Sequence, residues 1–247
     1  YRDKVESLGQ QGDRISEAMA VAEYSDVVIL CVGLDETLEG EEGDTGNSYS
    51  SGDKKDLSLP ASQQKLMEAV LNSGKPVIVC VFAGSALDLT LADEKAAAVI
   101  QTWYPGCRGG YALAKILFGK TSPSGKLPVT FYRSVDNLPA FEDYSMKGRT
   151  YRYLETEPLY PFGYGLTYGD VQVKDVQVLT ANLSENGLKL QVVVKNEGSC
   201  FTKDVIQVYV KNNETPLAPP HPVLCGFKKV GLDAGEKCTV EIDIPAN

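Results

Sequence analysis

Two runs of six apolar residues, VVILCV at 27–32 and VIVCVF at 77–82, constrain this chain more than any other feature. An unbroken apolar run this short is the pattern of a strand covered on both faces, as in a parallel sheet. Between the two runs, Ser62–Asn72 places Leu66, Val70 and Leu71 at helical spacing and stops at Gly74-Lys75-Pro76. Ahead of them, Arg14–Tyr24 carries Ile15, Ala18, Met19 and Ala22 on one helical face. Beyond the tight turn Ala83–Ala86, Ala97–Trp103 reads as a third strand ending in Tyr104-Pro105-Gly106, and Gly109–Phe118 as a third helix. Leu127–Tyr132 reads as one more extended strand. Strands and helices alternating at this spacing predict an α/β domain built on a mainly parallel sheet with helices packed around it.

The pattern changes near residue 150. Arg149–Tyr168 is rich in aromatics and prolines and has no helical period. Past Asp170 the apolar runs are short and alternate: 171–179, 188–195, 205–210, 223–230 and 239–244. Turn signals such as Glu185-Asn186-Gly187 and Asp233-Ala234-Gly235 separate them, which predicts a small antiparallel β-sandwich. The expected division is an α/β domain over 1–169 and a β-sandwich over 170–247.

The stretch Leu34–Pro60 follows the first buried strand and carries six carboxylates within ten positions: Asp35, Glu36, Glu39, Glu41, Glu42 and Asp44. A structureless connection of this length in a compact domain is uncommon without a function. In open α/β sheets, sites form at the carboxyl ends of strands. Crowded carboxylates there raise one another's pKa, and a carboxyl kept protonated near neutral pH is what the general acid of glycoside hydrolysis requires. The plainer reading of the same residues is a solvated acidic surface loop.

Charge and composition exclude several other classes. The formal net charge of −9 and the absence of basic patches interleaved with aromatics argue against a nucleic-acid partner. No apolar run approaches the roughly 18 residues of a membrane span. No phosphate loop, metal-ligand cluster or dinucleotide fingerprint is present, so neither cofactor nor metal is expected; Gly106–Gly110 follows a strand but has the wrong spacing for a nucleotide loop. The single histidine, His221, lies in APPHPV, a poor setting for a triad or a metal site. The six cysteines form no C-x-x-C pair, and Cys31 and Cys80 fall inside apolar strands. They are read as buried thiols of a reducing, cytoplasmic compartment. The chain opens YRDKVESLG, which reads as the interior of a longer protein.

Several stretches resemble one family. Val28–Leu34 followed by EGEEGD, SGDKKDLSLP at 51–60, GKPVIVCVFAGSAL at 74–87 and Trp103-Tyr104-Pro105-Gly106 are similar to the C-terminal half of glycoside hydrolase family 3. So are Leu117-Phe118-Gly119 leading into PSGKLP, GRTYRY at 148–153 and PLYPFGYGLTY at 158–168. LCGFKKVGLDAGE at 224–236 resembles the fibronectin-type-III-like module that closes many of these enzymes. The resemblance covers nearly the whole chain in the right order.

The resemblance implies a retaining β-glycosidase, β-glucosidase first and β-xylosidase as the alternative, acting on an oligosaccharide or β-glycoside with two carboxylates. Its nucleophile belongs to a (β/α)8 barrel domain that nothing here resembles, so that barrel, in another segment or chain, is an expected partner. The acid/base belongs to the loop after the strand, in a Glu-x-Glu-Gly-aromatic-Asp-Arg segment. Glu39-Gly40-Glu41 overlays the Glu-x-Glu, which makes Glu41 the acid/base candidate, with Glu42 and Glu39 as alternatives. Asp53 and Lys54 stand for the Asp-Arg and are substrate-binding candidates, with Lys in place of Arg. Trp103 and Tyr104 read either as a sugar platform or as a loop anchor, and Tyr160, Phe162, Tyr164 and Tyr168 as packing between domains. Family domains begin before Tyr1 and the β-module runs past Asn247, so both ends are expected to be trimmed. An exposed sheet edge would then favour pairing with another copy, a homo-oligomer. A non-catalytic sugar-binding or interaction module is the reading from a different class.

Overall fold

The computed structural model describes residues 12–40, 54, 56–180 and 187–246. By packing, the chain divides into two compact units, 1–109 with 131–136 and 110–130 with 137–247.

The first unit is built on three parallel strands, β1 (Val28–Gly33), β2 (Val77–Phe82) and β3 (Ala98–Gln101), in the order β1-β2-β3. Helix α1 (Asp13–Glu23) precedes β1, α2 (Ala61–Leu71) joins β1 to β2, and α3 (Thr90–Lys95) joins β2 to β3. The apolar run at 77–82 becomes the central strand, with Val77, Val79, Cys80 and Val81 buried. Val70 and Leu71 of the stripe read from the sequence are buried with them, together with Met67, while Leu66 is only half-buried. Burying one such side chain stabilises by about 1.5–3 kcal/mol. The run at 27–32 departs from the expected strand covered on both faces: β1 is an edge strand of the described sheet, Leu30 and Val32 are buried, and Val27, Ile29 and Cys31 are exposed.

Three details depart from the sequence reading. Helix α3, TLADEK, is too short to show a period, and the sequence assigned none there. The expected strand Ala97–Trp103 stops at Gln101, because Trp103 adopts φ +56° and leaves the extended region. The expected strand Leu127–Tyr132 does not form: Phe131 makes one isolated bridge. Pro128 has no N–H to offer a ladder. Leu127 instead bonds across to the irregular segment, its N–H to Tyr164 O at 2.8 Å and its carbonyl from Gly163 N–H at 2.7 Å. The cysteine reading also needs correction. Cys80 is buried, its thiol pushed up to about 11 by burial first and by neighbouring Cys31 second, whereas Cys31 and Cys107 are exposed. All six are free thiols.

The second unit contains helix α4 (Gly109–Leu117, all but its first residue), the single turn α5 (Thr150–Tyr153) and two antiparallel sheets. Strands β4 (Val171–Thr180), β5 (Leu188–Asn196) and β8 (Lys237–Ile244) form one sheet; β6 (Thr202–Val210) and β7 (Val223–Leu232) form the other. Leu190, Val192 and Val194 of β5, Val230 and Leu232 of β7 and Ile242 of β8 make one buried cluster between the sheets. The alternation read from the sequence is this inward face. The fold is therefore a parallel α/β sheet with helices followed by a small antiparallel β-sandwich.

The aromatic stretch packs inside the second unit. Phe162 stacks on Tyr151 with ring centroids 4.1 Å apart, and Tyr160 on Tyr164 at 5.5 Å. The Tyr168 hydroxyl donates to Ile116 O at 2.9 Å. Ser122, Thr167 and Thr202 share a hydroxyl network, and Lys126 bridges Asp204 at 2.8 Å and Gly165 O at 2.6 Å. Among the described residues, no helix is long and apolar enough to cross a membrane.

Asn196, at the end of β5, is fully buried, and its side chain ties together the backbone at the ends of β5 and β7. Its amide nitrogen donates to Cys200 O, Leu232 O and Asp233 O, and its oxygen accepts from Gly198 N–H and Asp170 N–H. Truncation would strand several buried backbone groups. Asn196→Ala is expected to cost about 3 kcal/mol or more, read as a lower urea midpoint; a midpoint equal to that of the parent chain would refute this account of the residue.

Candidate functional site

The exits of β1, β2 and β3 lie side by side, because parallel strands share one carboxyl edge. Gly33 closes β1. A Cβ there would lie 1.9 Å from Phe82 O, so only glycine allows the two strands to approach this closely. Gln63, in the first turn of α2, holds the same residue at two points: Gly33 N–H donates to its Oε1 at 2.8 Å, and its Nε2 donates to Gly33 O at 2.9 Å. The direction in which the chain leaves β1 is thereby set by the second helix.

The acidic loop begins at once. The Asp35 carboxylate accepts from Thr37 N–H at 3.0 Å and from the Thr37 hydroxyl at 2.6 Å, and its carbonyl accepts from Leu38 and Glu39 N–H. This self-capped turn buries Leu38 and places Glu39. The Ser85 hydroxyl, two residues past the end of the buried run Val79–Ala83, donates to Glu39 Oε2 at 2.8 Å. The returning limb is tied to the same segment: Asp88 N–H donates to Leu57 O at 2.8 Å. Leu59, Leu87 and Leu89 are buried. Both stems of the loop are thus fixed to residues 85–89.

Lys54 sits beneath these stems with only 3% of its side chain exposed. Its ammonium donates to Ser58 O and lies 3.8 Å from Asp56. Burial lowers its pKa from the usual lysine value, while the charges of Asp56 and then Glu39 oppose the shift. A buried lysine engaged in this way holds the loop together and has little left to offer a substrate.

The third exit is Thr102–Pro105. The Thr102 hydroxyl and N–H both donate to Val81 O, at 2.6 and 2.9 Å, and Gln101 Nε2 donates to Ala83 O at 2.9 Å. The Tyr104 ring then lies on Gly84, where a Cβ would meet Cε2 at 2.7 Å.

Of the residues singled out by sequence, Glu39 and Lys54 lie at this edge and influence each other electrostatically. Glu41, Glu42 and Asp53 lie outside the described residues. His221 is used structurally, with Nε2 2.7 Å from Leu154 O. Sequence reasoning missed Gln63, Ser85 and the fit of Tyr104 on Gly84. The signal for Ser85 lay in the GSAL turn, whose serine follows a buried strand and precedes no helix of its own.

Comparisons with known proteins identify the family of the chain. Residues 2–168 match the model of the glycosyl hydrolase family 3 C-terminal domain, and residues 204–247 that of a fibronectin type III-like domain. The chain is 39% identical over 230 residues to a xylan 1,4-beta-xylosidase of Xylanibacter ruminicola, covering 92% of this chain and 26% of that protein. It is 35% identical over 247 residues to a periplasmic beta-glucosidase of Salmonella typhimurium, covering 94% of this chain and 31% of that protein. In structure it superposes with a TM-score of 0.83 on a beta-D-glucoside glucohydrolase of Trichoderma reesei, at 28% identity, over 94% of this chain and 36% of the other. The chain therefore spans about a third or less of the length of these relatives.

The buried lysine gives a pH test. Because its folded pKa is lowered below the usual 10.5, the unfolded chain binds the extra proton between the two values. Stability from this group therefore rises as pH climbs toward 10.5. Lys54→Met removes the titration, so the difference in urea midpoint between the parent chain and the variant should grow in favour of the parent from pH 7 to pH 10. Parallel pH profiles would show that Lys54 is not held as described.

Proposed function

This chain belongs to glycosyl hydrolase family 3, as that family's C-terminal domain followed by a fibronectin type III-like domain, and from that premise we propose that it supplies the general acid/base of a retaining β-glycosidase. The substrate is an oligosaccharide or simple β-glycoside with a terminal glucose, and the nucleophile comes from a barrel domain elsewhere in the parent enzyme. In a retaining enzyme the acid protonates the departing oxygen while the nucleophile, about 5–5.5 Å from it, takes the sugar; the same acid then serves as base for the incoming water.

One observation carries the assignment within the loop. Glu39 accepts a hydrogen bond from the Ser85 hydroxyl, and its charge acts on the Lys54 ammonium. A proton donor must instead reach an oxygen of the substrate within about 2.6–3.2 Å. The bond from Ser85 supports reading Glu39 as an anchor of the loop, and the overlay of Glu39-Gly40-Glu41 on the family's Glu-x-Glu supports Glu41 as the acid/base, with Glu42 as the alternative. Lys54, buried on the protein side, supports the loop, and Asp53 is the proposed contact to the sugar. The 39% identity to a xylan 1,4-beta-xylosidase favours a second reading, a terminal xylose in place of glucose at the same site.

Hydrolysis of aryl β-glucosides and aryl β-xylosides should be measured with this chain alone and with the chain joined to a barrel domain. Turnover is expected only when the barrel is present, and the better of the two sugars decides between the readings. A fold-intact assembly that is silent on both sugars would favour a non-catalytic sugar-binding module.

In the assembled enzyme, Glu41→Gln should lower kcat/KM for a poor leaving group by about 10²–10⁴-fold and leave an activated aryl leaving group far less affected. Equal losses on both would move the acid to Glu42. Ser85→Ala should give a smaller loss with the same leaving-group bias, because it loosens Glu39 rather than removing the acid.

A further inference from the structure

The third strand exit, after β3, reverses direction within one residue. Trp103 adopts φ +56°, a left-handed backbone that a bulky residue takes only when its surroundings impose it. Here the constraint is visible: Thr102 is pinned to Val81 O by two hydrogen bonds and Gln101 to Ala83 O by one. The reversal at Trp103 turns the chain back toward the β2 exit and lays the Tyr104 ring on Gly84. A Cβ at Gly84 would come within 2.7 Å of that ring. Pro105 closes against Gly109 in the same fashion, a Cβ there falling 2.3 Å from its Cγ. Two glycines thus admit a Tyr-Pro pair at close range.

Such a built arrangement ordinarily buries an anchor, yet 56% of Tyr104 remains exposed. Its hydroxyl takes part in no hydrogen bond among the described residues. The ring is held from one side and offered on the other. Gly84 is followed directly by Ser85, whose hydroxyl holds Glu39 at the root of the acidic loop. The exposed ring therefore stands one residue away from the anchor of the acid/base loop.

We propose that Tyr104 is a binding residue for the departing part of the glycoside, its ring packing against a pyranose or aryl leaving group. The inference rests on the acid/base reading above. The acid delivers its proton to the departing oxygen, so side chains that share the acid's support face the leaving group rather than the sugar retained by the nucleophile. An aromatic ring suits that role because it offers a flat apolar surface to the C–H face of a sugar at little cost in side-chain entropy.

The test uses the full-length enzyme that carries this chain and compares three β-glycosides of its preferred sugar: a methyl glycoside, a disaccharide and an aryl glycoside. Tyr104→Ala should raise KM for the disaccharide and the aryl glycoside by about tenfold and leave the methyl glycoside nearly unchanged. Tyr104→Phe should behave as the parent. Gly84→Ala, which displaces the ring without removing it, should move KM in the same direction as Tyr104→Ala.

An unchanged KM on all three substrates would overturn the proposal. So would an equal loss on all three accompanied by a lower Tm, the mark of an anchor. Should the parent enzyme hydrolyse none of them, the acid/base reading falls first, and calorimetric binding of the disaccharide decides this one. Binding weakened about tenfold by Tyr104→Ala supports it, whereas equal or absent binding ends it.

Discussion

The close approach of β1 to β2 at Gly33 is the contact on which the candidate site depends. Without a Cβ, Gly33 lets its backbone meet Phe82 at a distance no other residue tolerates, and Leu34 N–H then bonds to Phe82 O at 2.8 Å. That bond continues the sheet one residue beyond its last ladder pair. Gln63 locks the same point from the helix. The acidic loop thus departs from a fixed origin in a fixed direction, with its stems fastened to the segment after β2. On the acid/base reading proposed above, a glutamate of this loop must be placed within about half an ångström, and a loop achieves this only when its ends are rigid. The structure supplies that rigidity with one glycine, one glutamine and one serine.

Most of the architecture was legible in the sequence because it rests on hydrophobic period. The runs at 27–32 and 77–82 became adjacent parallel strands, and the alternating runs past residue 170 became the β-sandwich. What failed were features without a period of their own. TLADEK is under two turns long, so its helix shows no stripe. Residues 127–132 had the composition of a strand, but Pro128 and the bonds from Leu127 to residues 163 and 164 withdrew them from any ladder. Trp103 looked like the last residue of a strand, and only three hydrogen bonds from other positions reveal why it turns back.

The site was legible as a place but not as a set of roles. Glu39, Glu41 and Glu42 carry the same chemistry within four positions, and a sequence cannot say which of them the protein has already engaged. Of the three, Glu39 lies among the described residues, and it accepts a hydrogen bond from Ser85, forty-six residues away. Lys54 was read as a sugar contact because it stands where the family has arginine. In the structure its side chain is nearly fully buried and its ammonium donates to Ser58 O. The difference from arginine is physical. A guanidinium can brace a loop and still present N–H groups outward, whereas an ammonium on a single stem, once buried, has one location.

The same logic explains why three separate strand exits are needed for one small surface. Glu39 is held from the segment after β2 by Ser85, while Lys54 braces the returning limb through Ser58 O and Asp56. Tyr104 arrives from β3 and settles on the residue beside Ser85, so each exit fixes the next. Burying the lysine charge costs stability, and the lowered pKa records that cost. The fold accepts it here, at the carboxyl edge, and fills the central strand with valine. An unfavourable charge retained at the point where three strand exits converge is the mark of a surface shaped for positioning rather than for stability.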